Sequence, residues 1–145
     1  MLGHLNEHDL IETGIDKDDK ATSLASSELA VHRAIYRETP ATAIVHAHSP
    51  HAVALSLVDN EIIPYDVQGS CLIQRVPVLG WKMKLKPGDL AEDIAQALKL
   101  YTIIMVYSHG CFARNLRLKE AYRHTSTLEE SSRIIYLSRM LGYKP

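Results

Sequence analysis

His46-Ala47-His48 is the densest chemistry in the chain. On a strand, residues i and i+2 project from one face, so these imidazoles would stand side by side as a metal clamp. The pair also fits two polar residues at a strand end, each satisfied by backbone. A third histidine, His109, follows a second apolar run, and Gly110 after it permits close backbone approach. Three histidines with a fourth position open form the donor set of a catalytic zinc rather than a structural one. Glu28 is the remaining candidate, at a predicted helix start after Ser26 and Ser27. It reads either as an acid complementing the helix dipole, worth about 0.3–1 kcal/mol, or as a general acid/base. The two serines either cap the helix or, with its terminal amides, hold a phosphate.

The elements that must position these groups alternate along the chain. Residues 9–15 predict a short strand, and residues 16–20 a turn. Ser26 is the expected N-cap of a helix over 27–38, stopped by Pro40. Residues 42–47 read as a buried strand. Ser49-Pro50 then opens a helix through residue 58. Strands at 62–66 and 73–79 are each interrupted by a proline, Pro64 or Pro77, which suggests edges or bends. An amphipathic helix at 89–99 precedes the apolar, β-branched run 101–107, a central strand. A long helix over 118–141 closes the chain. This alternation predicts an α/β layered domain.

Composition removes several classes of function. A length of 145 residues predicts one domain, and a net charge of −1 argues against a polybasic nucleic-acid surface. No apolar run approaches the roughly 20 residues needed to span a bilayer. The first residues show no basic region followed by an apolar one, so no signal peptide is expected. Cys71 and Cys111 form no CxxC pair and read as reduced thiols of a cytoplasmic protein. An amidohydrolase barrel also opens with HxH, but it needs about 250 residues.

Several motifs occur in order: Ser26-Ser27-Glu28 with His32, Ile35 and Tyr36, then His46-Ala47-His48 with Ala54-Leu55-Ser56. Ser108-His109-Gly110 follows, then Glu120-Ala121-Tyr122 with Leu128-Glu129. In order and spacing these pieces resemble the class II aldolase/adducin family. The resemblance implies a three-layer α/β fold, with a central, mostly antiparallel sheet flanked by helices, as a single domain over residues 1–145. It implies that His46, His48 and His109 hold one Zn2+ per subunit, that Glu28 is the catalytic acid/base, and that Ser26 and Ser27 bind substrate phosphate. His32 would pack or hydrogen-bond behind them. The implied activity is reversible cleavage of a ketose phosphate, such as one like fuculose 1-phosphate, to dihydroxyacetone phosphate and an aldehyde. The implied assembly is a homotetramer with sites at subunit contacts. Epimerases, dehydratases and decarboxylases of the family share the metal site, and the adducin head shares the fold as a binding module without needing zinc.

Two departures accompany the resemblance. The family's N-terminal GNxS and TxSG motifs have no counterpart, and residues 1–5 match the stretch that follows TxSG, so a shortened start is expected. The second acid of such aldolases is a tyrosine from a neighbouring subunit, and Tyr65 and Asp66 are the groups available in the matching stretch 63–69. They read equally well as turn residues, as does Tyr143 in the tail. Of the remaining polar candidates, His51 would lie at the surface, in the core or at the pocket mouth, and His124 would not ligate. Cys111 would be a small buried hydrophobe, and Asn115 would take a left-handed turn.

Overall fold

All four side chains of the run Ile103–Val106 are buried, so this strand must be covered on both faces. The computed structural model, which describes residues 6–83 and 87–143, shows how. Among those residues one sheet contains β1 (Ala43–Ala47), β2 (Glu61–Ile62), β3 (Val76–Leu79), β4 (Ile103–Val106) and β5 (Gly110–Asn115). Their spatial order is β1-β5-β4-β3-β2. Only β3 and β4 run parallel; the other three pairings are antiparallel. The helices are α1 (Leu29–Glu38), α2 (Pro50–Ser56), α3 (Val67–Leu72), α4 (Ala91–Leu100) and α5 (Leu118–Met140).

Strand alternation divides the core in two. Ile104 and Val106 join Val31 and Ile35 of α1, Ile94 and Leu98 of α4, and Phe112 of β5. Ile103 and Met105 face the other way, toward Ala52 and Leu55 of α2 and Leu128 and Ile135 of α5. The result is three layers: α1 and α4, the sheet, then α2, α3 and α5.

Several expected elements change. Residues 9–15 form no strand; 3-10 turns at Glu7–Asp9 and Thr22–Leu24 flank an irregular stretch. Two carbonyl groups of this stretch are taken by arginines of α1 rather than by a ladder. Arg33 Nε donates to Gly14 O at 2.9 Å, and Arg37 Nη2 donates to Ile15 O at 2.7 Å. The strand expected at 62–66 shrinks to two residues at the sheet edge, the one expected at 73–79 starts only at Val76, and α3 fills the stretch between them that had no assigned element. Asp66 starts that helix, its carboxylate accepting from Gly69 N at 2.7 Å. Asn115 is not left-handed but ends β5 opposite Ala43. Cys111 is buried and Cys71 exposed, both free. Residues 1–5, on which the shortened-start expectation rests, lie outside the described residues, as do 84–86 and 144–145.

Candidate metal centre

The antiparallel pairing of β1 with β5 assembles the histidines. Ala47 lies opposite Cys111, and His46 lies opposite Phe112. His48 therefore leaves the end of β1 just where His109 enters β5. One candidate ligand atom from each of His46, His48 and His109 falls within 4.8 Å of the others. The Nε2 atoms of His46 and His48 approach to 2.9 Å. His46 stacks on Phe112 with centroids 4.2 Å apart, and the His109 ring is nearly parallel to it at 5.2 Å.

Gly110 makes this crowding possible. A Cβ there would lie 2.6 Å from Ala47 O and 2.7 Å from His48 Cδ2. Just before the His109-Gly110 pair, Ser108 adopts a left-handed conformation with φ of 55°. That turn lets β4 return as β5 with His109 at the corner.

The protonation pattern suits a cation. Cys111 O can only accept, so His46 Nδ1 must carry the proton in their 3.0 Å hydrogen bond. The Nε2 lone pair then faces the cluster, the arrangement typical of a metal-binding imidazole. Burial pushes the His46 pKa down to about 4; the Cys111 hydrogen bond opposes the shift, while His48 and His109 add to it. Burial likewise lowers His109, with His48 adding and Glu28 opposing. Both rings are thus neutral near pH 7, as ligation requires.

Glu28 sits at the N-cap of α1 but makes no side-chain cap hydrogen bond. Its side chain is only 14% exposed, and Oε1 lies 3.9 Å from His109 Nε2, too far for a hydrogen bond. Glu28 Oε2 and His109 Nε2 are both buried without a hydrogen-bond partner. Leaving such groups unmatched is costly, and a cation between the imidazoles and the carboxylate would match them. Three imidazoles and a nearby carboxylate could therefore hold a divalent metal ion. His48 is the exposed member, so the cluster opens to solvent on its side.

The helix begins at Leu29 rather than at residue 27, because Ser26 Oγ accepts from Glu28 N at 3.2 Å and forms a separate turn. Ser26 and Ser27 are placed just before α1, with Ser27 exposed and Ser26 at the protein surface beside it. Ser26 also lines a groove of about 620 Å³ with Thr13, Gly14, His32, Arg33 and Tyr36. None of the three clustered histidines lines it. His32 packs edge-on against Phe112 at 5.9 Å. Tyr65 stacks edge-to-face with Tyr143, and Asp66 caps α3, so within one chain both have partners other than the histidines. His51 pairs with Glu129.

The match to known proteins fits this geometry. Residues 1–136 match the family model described as Class II Aldolase and Adducin N-terminal domain. The chain belongs to the class II aldolase and adducin family. Within it, the 3-oxo-tetronate 4-phosphate decarboxylase of Escherichia coli strain K12 is 28% identical over 152 residues, covering 99% of this chain and 69% of that protein. An L-fuculose phosphate aldolase of Methanococcus maripaludis strain C5 is 27% identical over 98% of this chain and 77% of its own length. The crystal structure of L-fuculose-1-phosphate aldolase from Thermus thermophilus superposes with a TM-score of 0.84 and 35% identity, covering 97% of this chain and 75% of that one. The three-layer fold is therefore that of a class II aldolase. No helix among the described residues is long and apolar enough to cross a membrane.

Proposed function

We propose that this class II aldolase-family chain is a zinc-dependent lyase. It would cleave a ketose phosphate to dihydroxyacetone phosphate and an aldehyde. The observation that carries the reading is the convergence of His46, His48 and His109, with the unpartnered Glu28 carboxylate beside His109. The three imidazoles would hold Zn2+, which suits nitrogen donors. When bound, the ion supplies a Lewis acid that stabilises negative charge on substrate oxygen as the carbon–carbon bond breaks.

The chain's own groups supply the rest. Glu28 accepts and returns the proton, a role worth about 10²–10⁴ in rate. Its sheltered position keeps the carboxylate close to the reacting atoms and away from bulk water. His46 is held in one tautomer by Cys111 O, so its lone pair does not turn away. Ser26 and Ser27 offer hydroxyls at the start of α1, where anions are favoured, for the substrate phosphate. We place the second acid across a subunit contact of a homotetramer, with Tyr65 and Asp66 as its candidates. Both are engaged within one chain, Asp66 Oδ1 by Gly69 N and Tyr65 by Tyr143 and Arg139, so a subunit contact would have to free either one. Exposed Leu118 and Tyr122 at the start of α5 offer apolar surface for such a contact.

A second reading is a decarboxylase, favoured by the E. coli relative that covers 99% of this chain. Both reactions leave electrons on a carbon next to a carbonyl, so both need the same stabilisation. The test is incubation of zinc-loaded protein with L-fuculose 1-phosphate and, separately, with 3-oxo-tetronate 4-phosphate. Dihydroxyacetone phosphate from the first, read by a coupled NADH assay, supports the aldolase. Carbon dioxide from the second alone supports the decarboxylase. Turnover of neither, with zinc bound, removes both of these activities and leaves the epimerase, dehydratase and binding-module readings.

A further inference from the structure

Glu129 and Ser56 are polar groups outside the histidine cluster; Glu129 meets the short helix that follows His48, and Ser56 is the last residue of that helix. At the start of α2, Glu129 reaches across from α5. Its Oε2 accepts from His51 N at 3.0 Å and from Ala52 N at 3.4 Å. Its Oε1 lies 2.6 Å from His51 Nδ1. Ser49, the N-cap residue itself, makes no side-chain cap hydrogen bond, so the cap of α2 comes from α5. At the other end, Ser56 is fully buried. Its hydroxyl donates to Val53 O at 2.7 Å and accepts from Ser108 N at 3.0 Å. Ser108 is the left-handed residue that immediately precedes His109.

The helix therefore has a candidate ligand loop tied to each end. His48 lies one residue before its N-cap, and His109 lies one residue after the amide that Ser56 holds. Ala52 and Leu55 bury α2 in the core between these ends, so the helix is a fixed spacer. We infer that Glu129 and Ser56 are positioning residues that set the separation of His48 and His109: Glu129 fixes to α5 the first turn of α2, which directly follows His48, and Ser56 clamps the His109 loop to the other end of α2. The inference rests on the metal reading above, but not on which reaction the site performs.

The experiment compares E129A, S56A and E129Q with the wild-type protein. Zn2+ affinity is measured by competition with a chromogenic chelator. Co2+ substitution reports ligand geometry through its visible absorption. E129A and S56A should each weaken Zn2+ binding about 10–100-fold, as loss of groups supporting metal ligands typically does, and should change the Co2+ spectrum. E129Q keeps an acceptor for the two amides and should restore both. Should an alanine variant fail to fold, E129Q and S56C carry the comparison. Gln should then bind as wild type, while Cys, a weak acceptor for Ser108 N–H, should bind more weakly.

The imidazole resonances of the metal-free protein give a readout independent of zinc. His109 signals should shift in S56A or S56C, and His48 signals in E129A but not in E129Q. Wild-type affinity, Co2+ spectrum and ring resonances in folded alanine or cysteine variants would overturn the inference. A wild-type chain that takes up no zinc would instead sink the proposed function, while the ring resonances still decide the positioning claim.

Discussion

His46 Nδ1 donates to Cys111 O at 3.0 Å, across the β1–β5 pairing that also sets Ala47 opposite Cys111. The strand register thus brings one backbone carbonyl to the place where it fixes the tautomer of a candidate metal ligand. The first prediction follows from that coupling. His46→Ala and His109→Ala should each drop zinc content from about one ion per chain to well below one, because a two-histidine remnant lacks the third donor. Elemental analysis after dialysis reads the ratio. Full zinc content in His46→Ala would remove it from the ligand set.

Glu28→Gln separates ligation from proton transfer. The variant keeps the shape of the side chain and leaves all three imidazoles in place, so zinc content should match wild type. Turnover should fall about 10²–10⁴-fold. Undiminished kcat in the zinc-loaded variant would reduce Glu28 to a neutralising neighbour of His109.

Gly110 carries a structural prediction. An added methyl would meet Ala47 O at 2.6 Å and His48 Cδ2 at 2.7 Å, and the first of these is backbone that cannot swing aside. Gly110→Ala should cost about 1–3 kcal/mol of stability, the usual range for overpacking. It should also weaken zinc binding, because relief of the clash displaces the His48 ring. Urea unfolding and metal competition check the two halves. Unchanged values in both would mean that the strands part without moving the cluster.

The legible parts of this chain are those whose pattern is local. His46 and His48 can be paired from spacing alone, because a strand enforces a two-residue period. The run Ile103–Val106 announces a strand buried on both faces, and the length of α5 shows in its sequence. The strand β5 does not show: Gly110–Asn115 mixes small, aromatic and charged residues without clean alternation, and it is held as a strand by β1 and β4 on either side. Residues 9–15 have strand-like composition, but Arg33 and Arg37 take the Gly14 and Ile15 carbonyl groups. Glu129 stands in a recognisable motif whose sequence suggests no role for it, because its partners lie in α2, 77 and 78 positions away. Such a contact leaves no periodic trace in sequence.

His124 supplies a pH prediction away from the metal cluster. It lies on α5, 8% exposed, and its Nδ1 is buried without a hydrogen-bond partner. Burial lowers its pKa below 6.5; Glu120 opposes the shift and Arg123 adds to it. The folded state therefore resists protonating a group that the unfolded chain protonates readily. Between the ordinary histidine pKa and the lower folded value, the unfolded state binds more protons, so stability falls as pH drops through that window. The stability is fully retained above the unfolded pKa. For one proton the slope is at most about 1.4 kcal/mol per pH unit. Urea unfolding of metal-free protein at pH 7.5 and 5.5 should show a larger loss for wild type than for His124→Gln, which has no imidazole to charge. The subtraction isolates His124, because His46 and His109 titrate in both proteins. Equal losses in the two proteins would mean that His124 is protonated as easily in the fold as outside it.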